Sequence, residues 1–312
     1  MVVGRFAPSP TGSLHRGSLV AAVGSWLAAR SCGGRWLVRI DDLDYQRCRE
    51  EYADDILRTL EQFGLVWDGP ISRQSEHLEA YQDAFSSLQT RGYSYPCGCS
   101  RSQIAQIASA PRPGEEIPYP GVCRSGLPAG HTVRGWRLRL DSGEGVFHDL
   151  WHGPVTYDLR QLGDPIIKRA EGIFAYLLAV VIDDQLTGVT QVVRGDDLLS
   201  VTPRQMYLQT VLGITQPCYG HLPVVTGSRG EKLSKRDNVV SLKQCGESLS
   251  PSALLQEALA HLGYVVPMPL YGAPPHELLE WACRYGAMPR LWSVGAAPAE
   301  SVPAQHSHSP LD

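Results

Sequence analysis

The chain has 312 residues, long enough to bury a large core and to form two or three domains. A hydrophobic fraction of 43% and a charged fraction of 19% are those of a soluble globular protein. The formal net charge of −4 excludes a protein that is basic throughout, so a polyanionic partner would need a local basic patch. No apolar stretch is long enough to span a membrane, and the N-terminus lacks a signal pattern. We therefore expect a cytoplasmic protein without a membrane partner.

The first predicted strand, at Val2 and Val3, leads into a loop rich in glycine and proline and then into a helix. Residues 4–19 of this stretch read GRFAPSPTGSLHRGSL. The N-terminus of a helix favours anions, because its first N–H groups have no partner within the helix and its dipole is positive there. His15 stands at this helix start. It is either a contact for an anionic ligand or a histidine in an ordinary surface turn.

Strands and helices alternate over the first ninety residues. Apolar spacing predicts these elements over about residues 19–33, 36–40, 51–63 and 77–90. Such alternation predicts a parallel sheet with ligands at the carboxyl ends of its strands, where both the opening loop and Asp41 lie. The chain contains neither G-x-G-x-x-G nor a P-loop, which excludes an ordinary dinucleotide fingerprint and a P-loop NTPase.

Three cysteines lie close together in a loop that contains few apolar residues: Cys97, Cys99 and Cys123. Zinc takes four N, S or O ligands in tetrahedral geometry, and thiolates suit it. A metal would also hold a loop that cannot bury enough apolar surface of its own. We predict a zinc site here, with Tyr119 and His131 as candidates for the fourth ligand. The alternative is three free thiols.

Short alternating runs between about residues 133 and 160 predict strands of an inserted antiparallel unit. The most basic part of the chain begins here, with Arg134, Arg137, Arg139, Arg160, Lys168 and Arg169. Such a cluster is either a solvated face or a contact surface for RNA.

After the insertion, an apolar segment over residues 173–182 ends in Asp183-Asp184. A buried-strand pattern over 189–193 places Arg194 at the carboxyl end of another strand. Further on, Lys232-Leu233-Ser234-Lys235-Arg236 brings three cations together in five residues. Taken alone, such a cluster usually indicates solvated surface.

Together these stretches resemble the class I aminoacyl-tRNA synthetases of the glutamate branch. His15-Arg16-Gly17-Ser18 is similar to the HIGH signature, and residues 232–236 are similar to KMSKS in its KLSKR form. Further similar runs lie at residues 39–47, 181–205 and 220–223. The resemblance covers roughly residues 4–240 and rests on the order and spacing of these motifs.

Only 76 of the 312 residues follow Arg236, which leaves no room for the anticodon-binding domain of a full glutamyl-tRNA synthetase. The chain therefore resembles the truncated paralogues, the glutamyl-queuosine tRNA(Asp) synthetases. The resemblance implies an α/β fold, in which a Rossmann-type parallel sheet is split by a zinc-containing insertion and followed by a short helical C-terminal region. The implied divisions are the first catalytic half, the insertion, the second catalytic half, the helical region and a disordered tail, over residues 1–92, 93–172, 173–245, 246–286 and 287–312.

The resemblance also implies an ATP-dependent glutamate ligase. Glutamate and ATP would form glutamyl-adenylate without tRNA, and the glutamyl group would pass to the queuosine base in the anticodon loop of tRNA(Asp). The expected cofactors are one Zn²⁺ per chain and Mg²⁺ with ATP. The expected partners are glutamate, ATP and queuosine-containing tRNA(Asp), and we expect a monomer. The alternatives are a tRNA-binding or regulatory paralogue with weak catalysis, and a glutamate ligase with another acceptor.

The site residues are carried over from the resemblance. Catalysis would fall to His15 and Lys235, and ATP would be bound by His15, Gly17, Ser18, Lys232 and Lys235. Glutamate would be bound by Arg5, Phe6, Ala7, Pro8, Ser9, Asp41, Tyr176 and Arg194. The two arginines suit carboxylates because a guanidinium binds them in bidentate fashion, and Asp41 suits the ammonium. The implied metal ligands are Cys97, Cys99, Tyr119 and Cys123, so that Tyr119 is preferred over His131.

Four positions depart from the family pattern. Ser18 replaces the second histidine of HIGH, and Arg16 replaces an apolar residue, which would put a cation beside ATP. Asp41 stands where the branch usually has the longer glutamate. Val180 stands where full-length glutamyl enzymes tend to have asparagine, which fits the truncated paralogues better.

Overall fold

The computed structural model describes residues 1–109, 117–141, 143–224, 242–245 and 249–285. The strands in these ranges are β1 (Val3–Phe6), β2 (Arg35–Ile40), β3 (Ser72–Arg73), β4 (Ser94–Cys97), β5 (Gly135–Leu138), β6 (Glu144–Asp149), β7 (Gly153–Asp158), β8 (Ile166–Arg169), β9 (Gln191–Gly195) and β10 (Cys218–Leu222). The helices are α1 (Arg16–Arg30), α2 (Glu50–Gln62), α3 (Leu78–Thr90), α4 (Arg101–Ile107), α5 (Leu159–Leu162), α6 (Tyr176–Leu186), α7 (Thr202–Leu212), α8 (Leu242–Cys245), α9 (Pro251–His261) and α10 (Pro275–Tyr285).

Parallel strands form the centre of the fold. Strands β1, β2 and β3 make one parallel sheet, and a second sheet has the order β7-β6-β10-β9, in which β10 is parallel to both neighbours. The two sheets adjoin, because the Thr190 N–H just before β9 donates to the Val3 carbonyl of β1 at 2.9 Å. The predicted α/β class with a parallel sheet is confirmed. The carboxyl ends of β1 and β9 carry the opening loop and Arg194.

The β6–β7 hairpin does not lie where the sequence predicts it. It is antiparallel as expected, but β6 also joins the parallel sheet, where Asp149 pairs with Tyr219 of β10. The separate antiparallel sheet contains only β4, β5 and β8. The assignment of the hairpin to the inserted unit is wrong, because alternation along a strand indicates which side chains are buried but not which neighbour the strand pairs with. The domain boundaries stay predictions.

Helix α1 is enclosed by the rest of the fold. Leu19, Val23 and Leu27 recur every four residues on one face and are fully or almost fully buried. Burial of each such side chain stabilises the fold by about 1.5–3 kcal/mol. Gly24 also packs closely, because a Cβ at that position would lie 2.3 Å from Leu222 Cδ1 of β10 and would force that buried side chain to shift. The start of α1 is therefore fixed against the parallel sheet.

The C-terminal helices pack on the same core. Helices α9 and α10 lie within residues 246–286, where the resemblance implies a helical region, and their buried leucines join those of α1. The predicted disordered tail lies outside the described residues. Among the helices that the structure describes, none combines the length and apolar character that crossing a membrane requires.

Candidate functional site

The opening loop forms the cap of α1. His15 has an extended backbone (φ −118°, ψ 173°), and its Nδ1 accepts a hydrogen bond from the Ser18 N–H at 3.2 Å. Because Nδ1 accepts, the proton of the neutral ring must be on Nε2. A Cβ on Gly17 would lie 3.1 Å from His15 Cε1, so glycine leaves room for the ring in this position. The loop thus presents a ring N–H beside a helix N-terminus, a combination suited to phosphate.

A cavity of about 470 Å³, called here the smaller cavity, borders this loop. Ten of the predicted site residues line it: Arg5, Phe6, Ala7, Pro8, Ser9, His15, Gly17, Ser18, Tyr176 and Arg194. Residues predicted for ATP and for glutamate therefore share one enclosure, although they come from distant parts of the chain. The carboxyl ends of parallel strands are where such ligand sites form.

Asp41 lines a different cavity of about 1010 Å³, called here the larger cavity. Ser9 and Tyr176 line both cavities, so the two adjoin. The Asp41 carboxylate accepts a hydrogen bond from Arg39 Nε at 2.7 Å. Burial raises the pKa of Asp41 to about 6, although the Arg39 guanidinium opposes that shift. Asp41 therefore changes charge near neutral pH.

Arg5 belongs to a buried charge cluster. It lies 3.4 Å from Asp184 through Nε, and Arg39 binds the same Asp184 oxygen at 2.6 Å. Arg39 also lies 3.5 Å from Asp183. With Asp41, the cluster has two cations and three carboxylates, so a substrate ammonium would balance its charge when all three are ionised. Arg39, Asp183 and Asp184 all lie in the family-like runs, but no role is predicted for them from the sequence.

Among the described residues, the hydrogen-bond partners of Arg194 are all neutral. Its Nε donates to His221 Nε2 at 3.1 Å, and its Nη2 donates to Gln205 at 2.7 Å and to Thr202 at 2.9 Å. Its Nη1 donates to the Tyr176 hydroxyl at 3.4 Å. Within the described part of the chain, no carboxylate comes within 4.0 Å of this guanidinium, which is only 5% exposed. A buried cation without a counter-ion is a strong binding group for a carboxylate.

The three predicted cysteine ligands come together. The sulfurs of Cys97, Cys99 and Cys123 all lie within 4.8 Å of one another, and the Tyr119 hydroxyl is 3.4 Å from Cys97 Sγ and 3.6 Å from Cys99 Sγ. Four ligands at zinc distances in a tetrahedron would lie about 3.8 Å apart. The Cys99 and Cys123 sulfurs are 3.7 Å apart. The residues therefore fit zinc, and His131 is not part of this group.

Arg137 connects the cysteine cluster to the larger cavity. Its Nε donates to Cys97 Sγ at 3.2 Å, and its guanidinium lies 3.6 Å from the centre of the Tyr119 ring. Burial alone would raise the pKa of Cys97, but the Tyr119 and Arg137 hydrogen bonds lower it overall. Of the predicted basic cluster, Arg134, Arg137 and Arg169 line the larger cavity. That cavity therefore carries arginines on its wall, together with the carboxylates of Asp41, Asp44, Asp164 and Glu171.

Arg16 lies apart from the smaller cavity. Its Nη1 is 3.3 Å from Glu257 of α9, and both side chains are exposed. It is not among the residues that line the cavity, so the expectation of a cation beside ATP is not supported at this position. The other predicted cations, Lys232 and Lys235, lie outside the described residues. The flanks of that segment are described: Val224 lines the smaller cavity, and the Leu242 N–H donates to the Leu14 carbonyl at 2.8 Å.

Comparison with known proteins identifies the family of the chain. The family model "tRNA synthetases class I (E and Q), catalytic domain" matches residues 1–269. A glutamyl-Q tRNA(Asp) synthetase of Geobacter sulfurreducens is 53% identical over 97% of both chains. One of Thiobacillus denitrificans is 50% identical, again over 97% of both.

Solved structures show the same fold. A glutamate tRNA ligase from Elizabethkingia meningosepticum, in complex with its amino acid, superposes with a TM-score of 0.69 at 25% identity. The match covers 82% of this chain but only 60% of that one, so this chain spans about three fifths of the longer ligase. The predicted class I synthetase fold, and with it an ATP-dependent ligase, is confirmed. The chain belongs to the class I tRNA synthetases (E and Q) and, within them, to the family of these glutamyl-Q tRNA(Asp) synthetases.

Proposed function

We propose that this chain activates glutamate with ATP to glutamyl-adenylate without tRNA. It then transfers glutamate to the queuosine base in the anticodon loop of tRNA(Asp), as the names of its relatives indicate for them. The observation that carries the proposal is the smaller cavity. It joins a phosphate-binding helix start at His15 to the buried, uncompensated guanidinium of Arg194.

Glutamate occupies the end of the smaller cavity where Arg5, Ser9, Tyr176 and Arg194 converge. Arg194 binds a carboxylate through Nη1, because its other N–H donors already have protein partners. Arg5 helps with a carboxylate, and residues 6–9 complete the wall. Asp41 accepts from the ammonium at the junction with the larger cavity, where its negative charge complements the cation.

ATP lies over the start of α1, with His15 Nε2–H and the N-terminus at Gly17 and Ser18 directed to phosphate. A glutamate carboxylate oxygen attacks the α-phosphorus, and the bond to the bridging oxygen breaks so that pyrophosphate leaves. Negative charge builds on the phosphate oxygens, so positioned donors and cations lower the barrier. Mg²⁺ accompanies ATP. We assign to Lys232 and Lys235 the role of stabilising the negative charge on these phosphate oxygens. Lys235→Ala should therefore lower the rate of adenylation far more than it weakens glutamate binding.

The larger cavity receives the acceptor. It adjoins the glutamate end at Ser9 and Tyr176, and its wall carries Arg134, Arg137 and Arg169. Cations in such a wall suit the phosphates of an RNA loop. A hydroxyl of the modified base would attack the carbonyl carbon of the adenylate, and AMP would leave.

Cys97, Cys99, Tyr119 and Cys123 would hold Zn²⁺, which supplies a structural crosslink. Cys99, Tyr119 and Arg137 also line the larger cavity, so the crosslinked loop forms part of the acceptor wall. Elemental analysis should find one zinc per chain. A content far below one would remove this assignment. Cytoplasmic location and a monomeric state stay predictions.

The function is tested in two steps. Glutamate-dependent exchange between ATP and pyrophosphate, without tRNA, is expected with the pure protein. No exchange would favour the tRNA-binding or regulatory alternative. Mass analysis of tRNA(Asp), with and without queuosine, then identifies the acceptor after incubation with ATP and glutamate. Equal transfer to both forms would favour a ligase with another acceptor.

A further inference from the structure

Arg194 is the end of a hydrogen-bonded chain that begins on the β6–β7 hairpin. Asp149 Oδ2 lies 2.6 Å from His221 Nδ1, and His221 Nε2 lies 3.1 Å from Arg194 Nε. The Asp149 and His221 side chains are completely buried. Neither residue lines either cavity, so both can act on a ligand only through Arg194.

The donors and acceptors in this chain fix where the ring proton is. A guanidinium can only donate, so His221 Nε2 must be unprotonated where it meets Arg194 Nε, and the Thr202 hydroxyl, 3.0 Å from the same nitrogen, can donate to it as well. The proton of the neutral ring is then on Nδ1, where Asp149 accepts it. Burial lowers the pKa of His221, which favours the neutral ring. An imidazolium would instead place an N–H donor and a second cation against the guanidinium.

Asp149 is itself held in place and ionised. Its Oδ1 accepts from the backbone N–H groups of Trp151 at 2.8 Å, His152 at 3.0 Å and His221 at 3.2 Å. Although burial alone would raise it, these bonds and the His221 ring hold the pKa of Asp149 below its ordinary value. The carboxylate is therefore a fixed acceptor, and it selects the Nδ1–H form of the ring.

We propose that Asp149 and His221 are positioning residues that orient Arg194 for its carboxylate ligand. This proposal rests on the proposed glutamate site. The ring acceptor holds Nε, and Gln205 and Thr202 hold Nη2, so that Nη1 is the remaining edge directed to the smaller cavity beside Tyr176. A guanidinium held on two of its three nitrogens loses little further freedom when the ligand binds.

The first test is Asp149→Asn, with His148→Gln as the matched control on the same strand. His148 is exposed and lies next to Asp149. The asparagine amide can donate to Nδ1 of His221, which favours the tautomer with its proton on Nε2. The Nε2–H would then face the Nε–H of Arg194, two donors without an acceptor between them. We expect the KM for glutamate in pyrophosphate exchange to rise at least tenfold. The kcat should stay within threefold, the KM for ATP within twofold, and the control unchanged. A glutamate KM within twofold of wild type would overturn the proposal.

A second test separates positioning from a general loss of structure. His221→Gln keeps an oxygen acceptor near Arg194 but removes the ring through which Asp149 acts. Adding Asp149→Asn to His221→Gln should change the glutamate KM by less than twofold, because both substitutions interrupt one chain. Effects that multiply would show that Asp149 acts independently of His221.

The ring form can be observed without activity. In ¹⁵N–¹H spectra of the wild-type protein, the His221 signals, assigned by their loss in His221→Gln, should show a protonated Nδ1 and an unprotonated Nε2. A protonated Nε2 would overturn the proposal even if every variant folds poorly. Wild-type protein without glutamate-dependent exchange would instead contradict the proposed function, and the spectra would still decide the ring form.

Discussion

The two arginines of the smaller cavity are held in opposite ways. Arg5 lies beside Asp184, which also binds Arg39, so its charge is balanced within the protein. Arg194 is equally buried, but its partners within the described ranges are neutral groups. A guanidinium that already has a counter-ion in the protein binds a further carboxylate less strongly, whereas a buried guanidinium without one gains most when an anion arrives. Burial therefore does not distinguish the two arginines, but the charge of their partners does.

The largest effect on stability should come from the buried charge cluster around Arg5 and Arg39. Arg39→Met would leave Asp41, Asp183 and Asp184 without their shared cation. Removing one partner of a buried charge pair costs about 3–5 kcal/mol in the free energy of unfolding. Chemical denaturation measures this loss. Arg194→Met is the comparison, and it should cost far less because no described carboxylate loses its partner. Equal losses would break the contrast between the two arginines.

The largest effect on activity should come from Arg194. Arg194→Met removes a charge-assisted contact to the substrate, so kcat/KM for glutamate should fall at least 100-fold, or about 2.7 kcal/mol. The KM for ATP should stay within twofold. Steady-state pyrophosphate exchange measures both values. A substitution that changed the two substrates equally would contradict a specific role for Arg194 in binding glutamate.

A smaller effect should appear with pH, through Asp41. Its pKa is raised to about 6, so the carboxylate is ionised at pH 7.5 and mostly protonated at pH 5. Its attraction for the ammonium is lost as the pH falls through 6, and the KM for glutamate should rise roughly tenfold by pH 5. Asp41→Asn should have a high glutamate KM that is flat over this range. A pH-independent wild-type KM would remove Asp41 from the ammonium site.

The smallest effect is expected at the exposed pair of Arg16 and Glu257. Such surface pairs contribute about 0.2–1 kcal/mol, so Arg16→Ala should change the free energy of unfolding only within that range. The KM for ATP should also stay within twofold, because Arg16 does not line the smaller cavity. Thermal melts and exchange kinetics measure both. A large rise in the KM for ATP would show that Arg16 reaches the nucleotide after all.

Short-range sequence patterns predicted several of the helices in the catalytic domain. Apolar spacing predicted α1, α2 and α3 close to their observed bounds. Gly64 and Gly213 adopt the positive φ that is common just after a helix. The family resemblance named ten of the residues that line the smaller cavity. These features depend on short stretches, which a single sequence displays directly.

Long-range pairing could not be predicted. Nothing in the sequence near Asp149 indicates that β6 joins β10, or that its carboxylate meets His221. The sequence also does not show whether Arg5 and Arg194 have counter-ions, because that depends on which aspartates pack against each guanidinium in the folded protein. His221 offered a signal, since it stands in the family-like run at residues 220–223. Residue type alone did not reveal its role.

The chain separations in these contacts have a consequence for biosynthesis. Asp149 and His221 are 72 positions apart, and Arg5 and Asp184 are 179 positions apart. Contacts that close loops of this size form late in folding, because the chain loses conformational entropy before the contacts can stabilise the closed loop. While β10 is still inside the ribosome, the nascent chain already has the His15 loop. It lacks His221, which accepts the hydrogen bond from Arg194. We therefore expect glutamate activation to begin only when nearly the whole catalytic domain has been synthesised.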